Sequence, residues 1–431
     1  MILSLAYEYD SKKRWIYKML LFLSIFCLIY PEQYTFIPVS TLWFVHLWGM
    51  FIYTFYYVHF AVNKIILKLF LYGMVISMVG LFSAKIINDG DLDVAKRGFL
   101  LIVHIFDSLW IAYLLSKISK GNVLYELLKW LVYAAIVQGI VSFVFFVFPT
   151  IYTSYKSLVV MNDLIDDKTS FFSSFRLMGV GGLRYATAAV QYGLMLWAVI
   201  LLRKERYGII GNSSFLFYFV SSLFCIAGIM SGRVFFVFLL FTIVYIYYLY
   251  DKNLLVAVSH FFKLFIPIFV LVSLVFIYFF ASNEELINWA FELFINLGES
   301  GELESNSTNQ LKDMYIFPDN ISTWLLGDGK SIDGNGFYMN TDVGYIRSIF
   351  YWGIIGSIVY YSIQYYMYRM VARVTYDYNI ICYTLFVFLW FLIYSLKDFY
   401  SIEKILVLLI IVLVYSREDD EYEILDSNTS V

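Results

Sequence analysis

Long runs of Leu, Ile, Val and Phe, each closed by a short polar or basic stretch, recur along nearly the whole chain. The better runs are long enough, at 1.5 Å rise per residue, to cross a hydrocarbon core of about 30 Å. Their apolar residues are continuous, which predicts helices; a barrel would alternate apolar and polar positions along short strands. The pattern places spans near 15–30, 37–60, 69–83, 99–115, 124–148, 186–202, 213–230, 234–250, 261–280, 346–368, 379–395 and 402–415, twelve in all. The third and twelfth are short and need snorkelling flanks or a locally thinned bilayer. The expectation is an all-α polytopic membrane protein in which residues 1–431 form a single transmembrane domain.

Composition agrees: 61% of residues are hydrophobic, 21% aromatic and 15% charged, which excludes an ordinary soluble domain. The net charge of −3, with basic residues scattered over loops, argues against a nucleic-acid partner. Cys27, Cys225 and Cys382 lie far apart inside apolar runs, a spacing that suits neither a disulfide framework nor a metal site. The first apolar run follows Lys12-Lys13-Arg14 and lacks a small-residue cleavage site, so it reads as a retained helix.

Lys and Arg near the span ends set the sides. With the N-terminus inside, the inner loops receive Lys64 and Lys68, Lys117 and Lys120, Arg203-Lys204-Glu205-Arg206, Lys252 and Lys263, Arg369 and Arg373, and Arg417. Both termini are then cytoplasmic, and the acidic tail 416–431 is a solvated end. The outer side holds the two longest loops, 149–185 and 281–345, the larger lying between the ninth and tenth spans. Within it, Glu284 to Leu297 spaces its apolar residues as an amphipathic surface helix would.

Every candidate for chemistry falls on that outer side. Arg176 and Arg184 flank Gly179 and further glycines just before the sixth span; guanidinium groups bind phosphate bidentately and stay charged, and glycine lets backbone approach a ligand. Arg233 stands in a tight Ser-Gly-Arg turn between the seventh and eighth spans. The third group is Leu326-Gly327-Asp328-Gly329, then Asp342, Tyr345 and Arg347 where the long loop enters the tenth span. Ionisable groups beside hydrocarbon are costly unless they pair, face water or hold a ligand, and Asp342 and Arg347 could pair with one another. The glycine-rich stretch reads as turns; no Gly-Lys-Ser/Thr follows to make a P-loop, and calcium-loop spacing is missing. Histidines 46, 59, 104 and 260 stand singly and read as structural. Neither a metal nor a cofactor is expected.

The layout resembles the oligosaccharide repeat-unit polymerases of the Wzy type (O-antigen polymerases), relatives of the O-antigen ligases among the GT-C-like glycosyltransferases. The resemblance rests on the twelve spans, the large outer loop before the tenth, Arg176-x-x-Gly179, the Ser-Gly-Arg turn at Arg233, Leu-Leu-Gly-Asp-Gly ending at Gly329, and Asp342 followed by Gly353 and Gly356. Ligases commonly carry a histidine where Asp342 stands, which favours polymerase over ligase. The resemblance implies a bacterial inner-membrane enzyme joining undecaprenyl-diphosphate-linked oligosaccharides into O-antigen or capsular polysaccharide, with the bilayer and a chain-length regulator as further partners. It implies Asp342 as base, with Tyr345 and Arg347 beside it, and Arg176, Arg184, Arg233, Gly179 and Asp328 around the substrate. The alternatives are an O-antigen ligase and a flippase or transporter for the same lipid-linked unit. A flippase should carry charge in mid-span, whereas the charges read from the sequence cluster outside.

Overall fold

The computed structural model describes residues 2–56, 64–87, 90–119, 121–160, 177, 179–181, 185–250, 252–280, 292, 295–299, 301, 305–333, 336–399 and 402–429. The described helices are α1 (Ile2–Ile29), α2 (Leu42–Tyr56), α3 (Lys64–Leu81), α4 (Ala95–Ile118), α5 (Val123–Val147), α6 (Pro149–Ser157), α7 (Tyr185–Lys204), α8 (Gly208–Asn212), α9 (Ser214–Ser231), α10 (Val234–Leu249), α11 (Leu254–Phe280), α12 (Asn306–Asp313), α13 (Ile321–Leu326), α14 (Gly344–Val374), α15 (Tyr378–Tyr394) and α16 (Glu403–Thr429). Among the described residues a hairpin of two-residue strands, β1 (Ile332–Asp333) with β2 (Gly336–Phe337), is the sheet content, so what is described is almost wholly helical.

Each of the twelve expected apolar runs overlaps one of these helices; among the described residues six stretches are long and apolar enough to cross a membrane, Lys64–Lys85, Ala95–Ile118, Val123–Val147, Tyr185–Lys204, Ser214–Ser231 and Leu254–Leu271. The third is longer than the sequence suggested, because the helix starts at Lys64 and continues through a π-helical turn at Phe82–Ile87. The long outer loop carries α12, α13 and the hairpin; of its expected surface helix, residues 295–299 are helical and most of the rest lies outside the described residues.

By packing, the chain divides into two compact units, Met1–Leu47 with Trp110–Phe291 and Trp48–Leu109 with Glu292–Val431, the boundaries running through α2 and α4. In the first, α7 is the central helix. Every residue from Ala188 to Leu202 is buried, and Trp197 stacks on Phe238 at 4.2 Å while its indole N–H donates to Thr242 at 2.9 Å. A hydroxyl at that position removes the cost of burying the one polar atom of the largest side chain.

In the second unit α14 is central, and it is broken. Gly353 has φ +66°, and a Cβ there would overlap the backbone of Leu325 and Leu326 in α13. The break frees helix carbonyls, and the Leu-Gly-Asp-Gly loop supplies their donors: Asp328 N–H bonds the Phe350 carbonyl at 2.5 Å and Gly329 N–H the Tyr351 carbonyl at 3.2 Å. The hydroxyl of Ser83, in the π-turn, also donates to the Tyr351 carbonyl. The other side of the loop is clasped by Asp91, whose carboxylate accepts from Ser331 N–H at 2.5 Å, Ser331 Oγ at 2.9 Å and Ile332 N–H at 3.2 Å. Packing of Leu311, Met314 and Ile316 on buried Val343, Ile346 and Phe350 roots α12 against the start of α14.

Inside each unit, segments that the charges lead one to expect on the same side meet. In the second, segments 84–98, 326–345 and 395–399, all expected outside, meet at one end. In the first, Glu32 accepts from Gly181 N–H at 2.5 Å and from the Tyr155 hydroxyl, joining the connection after α1 to both ends of the expected outer loop 149–185. Burial and the Glu32 carboxylate push the Tyr155 phenol far above its ordinary range, so it remains a donor.

Candidate functional site

The second unit gathers four charged side chains from three expected outer segments. Arg347, one turn into α14, lies 3.6 Å from Asp398 in the short α15–α16 connection. Its guanidinium covers the Phe337 ring at 3.7 Å, and Arg97, in the first turn of α4, covers the Phe399 ring at 4.0 Å, with Arg347 6.0 Å from that same ring. Planar guanidinium stacks on aromatic faces with its N–H edge left open, the arrangement that suits a bidentate anion. Among the described residues the Arg97 side chain has no hydrogen bond or ion pair.

Of the two carboxylates near Arg347, the one in ion-pair contact is that of Asp398, so the alternative in which Asp342 and Arg347 pair with one another is not the arrangement found. Asp342 is half-buried, makes no hydrogen bond or ion pair among the described residues, and acts on Arg347 and Asp398 through its field. Its segment is fixed by Thr341, whose hydroxyl donates to the Met314 carbonyl at 2.7 Å. Burial pushes the Asp398 carboxyl above the ordinary carboxylate range; Arg347 and the Phe399 N–H oppose the shift, and Asp342 adds to it.

Two expected site residues are committed to structure. The Tyr345 hydroxyl donates to the Leu392 carbonyl at 2.7 Å and its N–H to the Ser395 carbonyl at 3.0 Å, so it pins α14 to the end of α15. Asp328 accepts from Thr323 Oγ1 at 2.5 Å and the Tyr338 hydroxyl at 3.1 Å, organising the loop from within. Burial, then the Asp328 charge, raises the Tyr338 phenol and keeps it protonated.

In the first unit, Leu177 N–H bonds the Met230 carbonyl at 3.4 Å, the Val180 carbonyl accepts from Gln138 at 3.0 Å, and the start of α7 packs beside Gly232. Gly179 sits against the Gln138 amide with no room for a Cβ. The segment bearing Gly179 is thereby brought to the tight turn at Arg233, the residue that immediately precedes α10. Arg176 and Arg184 lie outside the described residues.

Arg97, Asp398 and Phe399 were missed by sequence reasoning, as was buried charge in mid-helix. Asp107, wholly buried at the middle of α4, takes a 2.9 Å contact from His104, and Lys404 lies within its field. Glu403 accepts from Tyr360 and Gln364, each at 2.7 Å. The expectation that charge avoids mid-span is therefore corrected at α4, where a paired histidine and lysine offset the desolvation of the carboxylate. The signal available was side: counted by spans, Arg97 and Asp398 fall outside, where the charge rule expects few cations and short loops need no acid.

Comparison of the chain with models of protein families, with curated proteins and with solved structures finds no match in any of the three.

Proposed function

We propose that this protein is a polytopic glycosyltransferase of the bacterial inner membrane, with twelve spans and cytoplasmic termini, that polymerises undecaprenyl-diphosphate-linked oligosaccharide repeat units in the manner of the Wzy-type enzymes. The observation that carries the reading is the meeting of Arg97, Arg347, Asp342 and Asp398 around two aromatic faces in one unit. A diphosphate leaves as a stable anion, so the reaction needs cationic donors at the developing charge more than a general acid. The acceptor hydroxyl attacks the anomeric carbon of the donor from the face opposite the diphosphate. As the new C–O bond forms, the bond to the diphosphate oxygen breaks, lipid diphosphate departs toward Arg97 and Arg347, and the hydroxyl proton passes to Asp342. The configuration inverts. Asp398 holds Arg347 in place, and the exposed Phe337 ring offers an apolar surface for a sugar ring. Arg233, with Arg176 and Arg184, is assigned phosphate contacts of its own. The reaction as written uses no metal, and a chain-length regulator would act on the outer loops.

A deletion strain complemented with Asp342→Asn or Arg347→Gln should accumulate the single repeat unit on its carrier, seen as collapse of the glycan ladder on a gel. Wild-type ladders from both variants would refute the assignment. A chelator should leave polymerisation by the purified protein unchanged.

The buried Asp107–His104 pair favours one second reading, a flippase for the same lipid-linked unit, because ionisable groups in mid-helix are what a polar path would need. Translocation of lipid-linked sugar by reconstituted protein that forms no glycosidic bond would select it. An O-antigen ligase would instead show transfer to a lipid A core acceptor.

A further inference from the structure

At the end of the first unit opposite the Ser231–Arg233 turn, about 27 Å away along α9, a cavity of about 530 Å³ opens between the C-terminal ends of α7 and α10 and the N-terminal parts of α9 and α11. Its wall holds five basic side chains, Arg203, Lys204, Arg206, His260 and Lys263, and among the described residues no Asp or Glu lines it. Among the described residues an exposed carboxylate, Glu205, is near enough for its field to reach Tyr250 on the cavity wall.

The five are not equivalent. Arg203 is spent on the rim, donating to the Gly211 carbonyl at 2.9 Å and Ser214 Oγ at 2.8 Å, and Lys204 donates to the Leu249 carbonyl at 2.5 Å. His260 stacks on Tyr250 at 4.2 Å with Nδ1 against the Val256 carbonyl at 2.9 Å. Arg206 and Lys263 make no ion pair among the described residues. Arg206 is also held at φ +50°, a left-handed conformation that is unfavourable for a non-glycine residue. Asn212 fixes that turn by donating to the Arg206 and Gly208 carbonyls at 2.9 and 2.8 Å. Gathering this much positive charge around one concavity is unfavourable unless an anion compensates it.

We propose that the cavity binds a phosphate group, and that the phosphate belongs to an anionic lipid headgroup. The lipid source follows from the same elements: Ile209, Phe215, Leu254 and Leu255, on α8, α9 and α11, are 64, 76, 62 and 82% exposed, an apolar fringe that acyl chains would cover. On the charge rule this end faces the cytoplasm, where anionic headgroups are abundant. The site does not depend on the reaction proposed above.

The test is native mass spectrometry of the full chain in detergent, titrated with phosphatidylglycerol and, separately, phosphatidylcholine and inorganic phosphate. Wild type should retain phosphatidylglycerol over phosphatidylcholine, and Arg206→Gln/Lys263→Gln should weaken it about 30-fold. The control Lys117→Gln/Lys252→Gln removes two cations of the same unit that do not line the cavity and should weaken it little. Equal losses in both doubles, or no loss in the first, would overturn the site. Competition by millimolar phosphate with no lipid preference would keep the anion site and overturn the lipid assignment. Unchanged melting temperatures of the doubles exclude misfolding as the cause.

Discussion

Helices α7 and α14 each form the centre of their own unit, and they solve the same packing problem in opposite ways. Around α7 the neighbours are apolar and aromatic, the helix is unbroken, and its largest side chain has its one polar atom satisfied by Thr242. Around α14 the helix breaks at Gly353, its freed carbonyls are taken by loop N–H groups, and its first two turns carry Arg347 beside Asp398. Backbone donors and acceptors that α7 uses on itself, α14 uses to hold a loop. The lesson is that a broken helix can dock an irregular segment beside charged groups and have its freed backbone carbonyls, here those of Phe350 and Tyr351, taken by that segment's N–H groups.

The largest effect on this contrast should come from Trp197→Ala. Losing the stack on Phe238 and Tyr245 should cost about 3–5 kcal/mol, read as a drop in melting temperature by scanning fluorimetry. A smaller but more informative effect is expected from Gly353→Ala, about 3 kcal/mol from left-handed backbone strain and overlap with α13. Limited proteolysis should then open the 326–333 segment first, while α7 stays protected. If both variants melted alike with identical cleavage patterns, the two helices would not play separate roles.

Subtler still is pH. Asp398 has a raised pKa, from burial and Asp342 against the pull of Arg347. Its sign is that of a buried acid: the stability it contributes is greatest where it is protonated, at low pH, and falls as pH rises through its folded pKa. Its hold on Arg347 runs the other way, since the ion pair exists only above that pKa. The polymerisation rate should therefore show an acid limb above the ordinary carboxylate range, and Asp398→Asn should abolish that limb as well as lower the rate. A limb unchanged by the substitution would assign it elsewhere.

Much of this was legible in the sequence. Continuous apolar runs at Tyr185–Lys204 and Ser214–Ser231 could be little else than helices, and glycines at 327 and 329 marked turns that have φ of +75° and +64°. Asp342 and Arg347 were legible because charge at a helix entrance is unusual. Arg97 and Asp398 were not, because each looks like routine loop chemistry until three segments far apart in the chain are folded together. Asp107 was hidden differently: one carboxylate in an apolar run does not disturb hydropathy, and its partners His104 and Lys404 become visible as partners only through packing.

The account turns on the charged cluster in the second unit being the reacting centre, and Arg97 tests it most directly because it has no ion pair among the described residues to lose. The measurement is the length distribution of glycans made from purified lipid-linked repeat unit by wild-type and Arg97→Gln protein of equal melting temperature. The expected result is a ladder from the wild type and unextended repeat unit from the variant. A full ladder from Arg97→Gln would contradict the account.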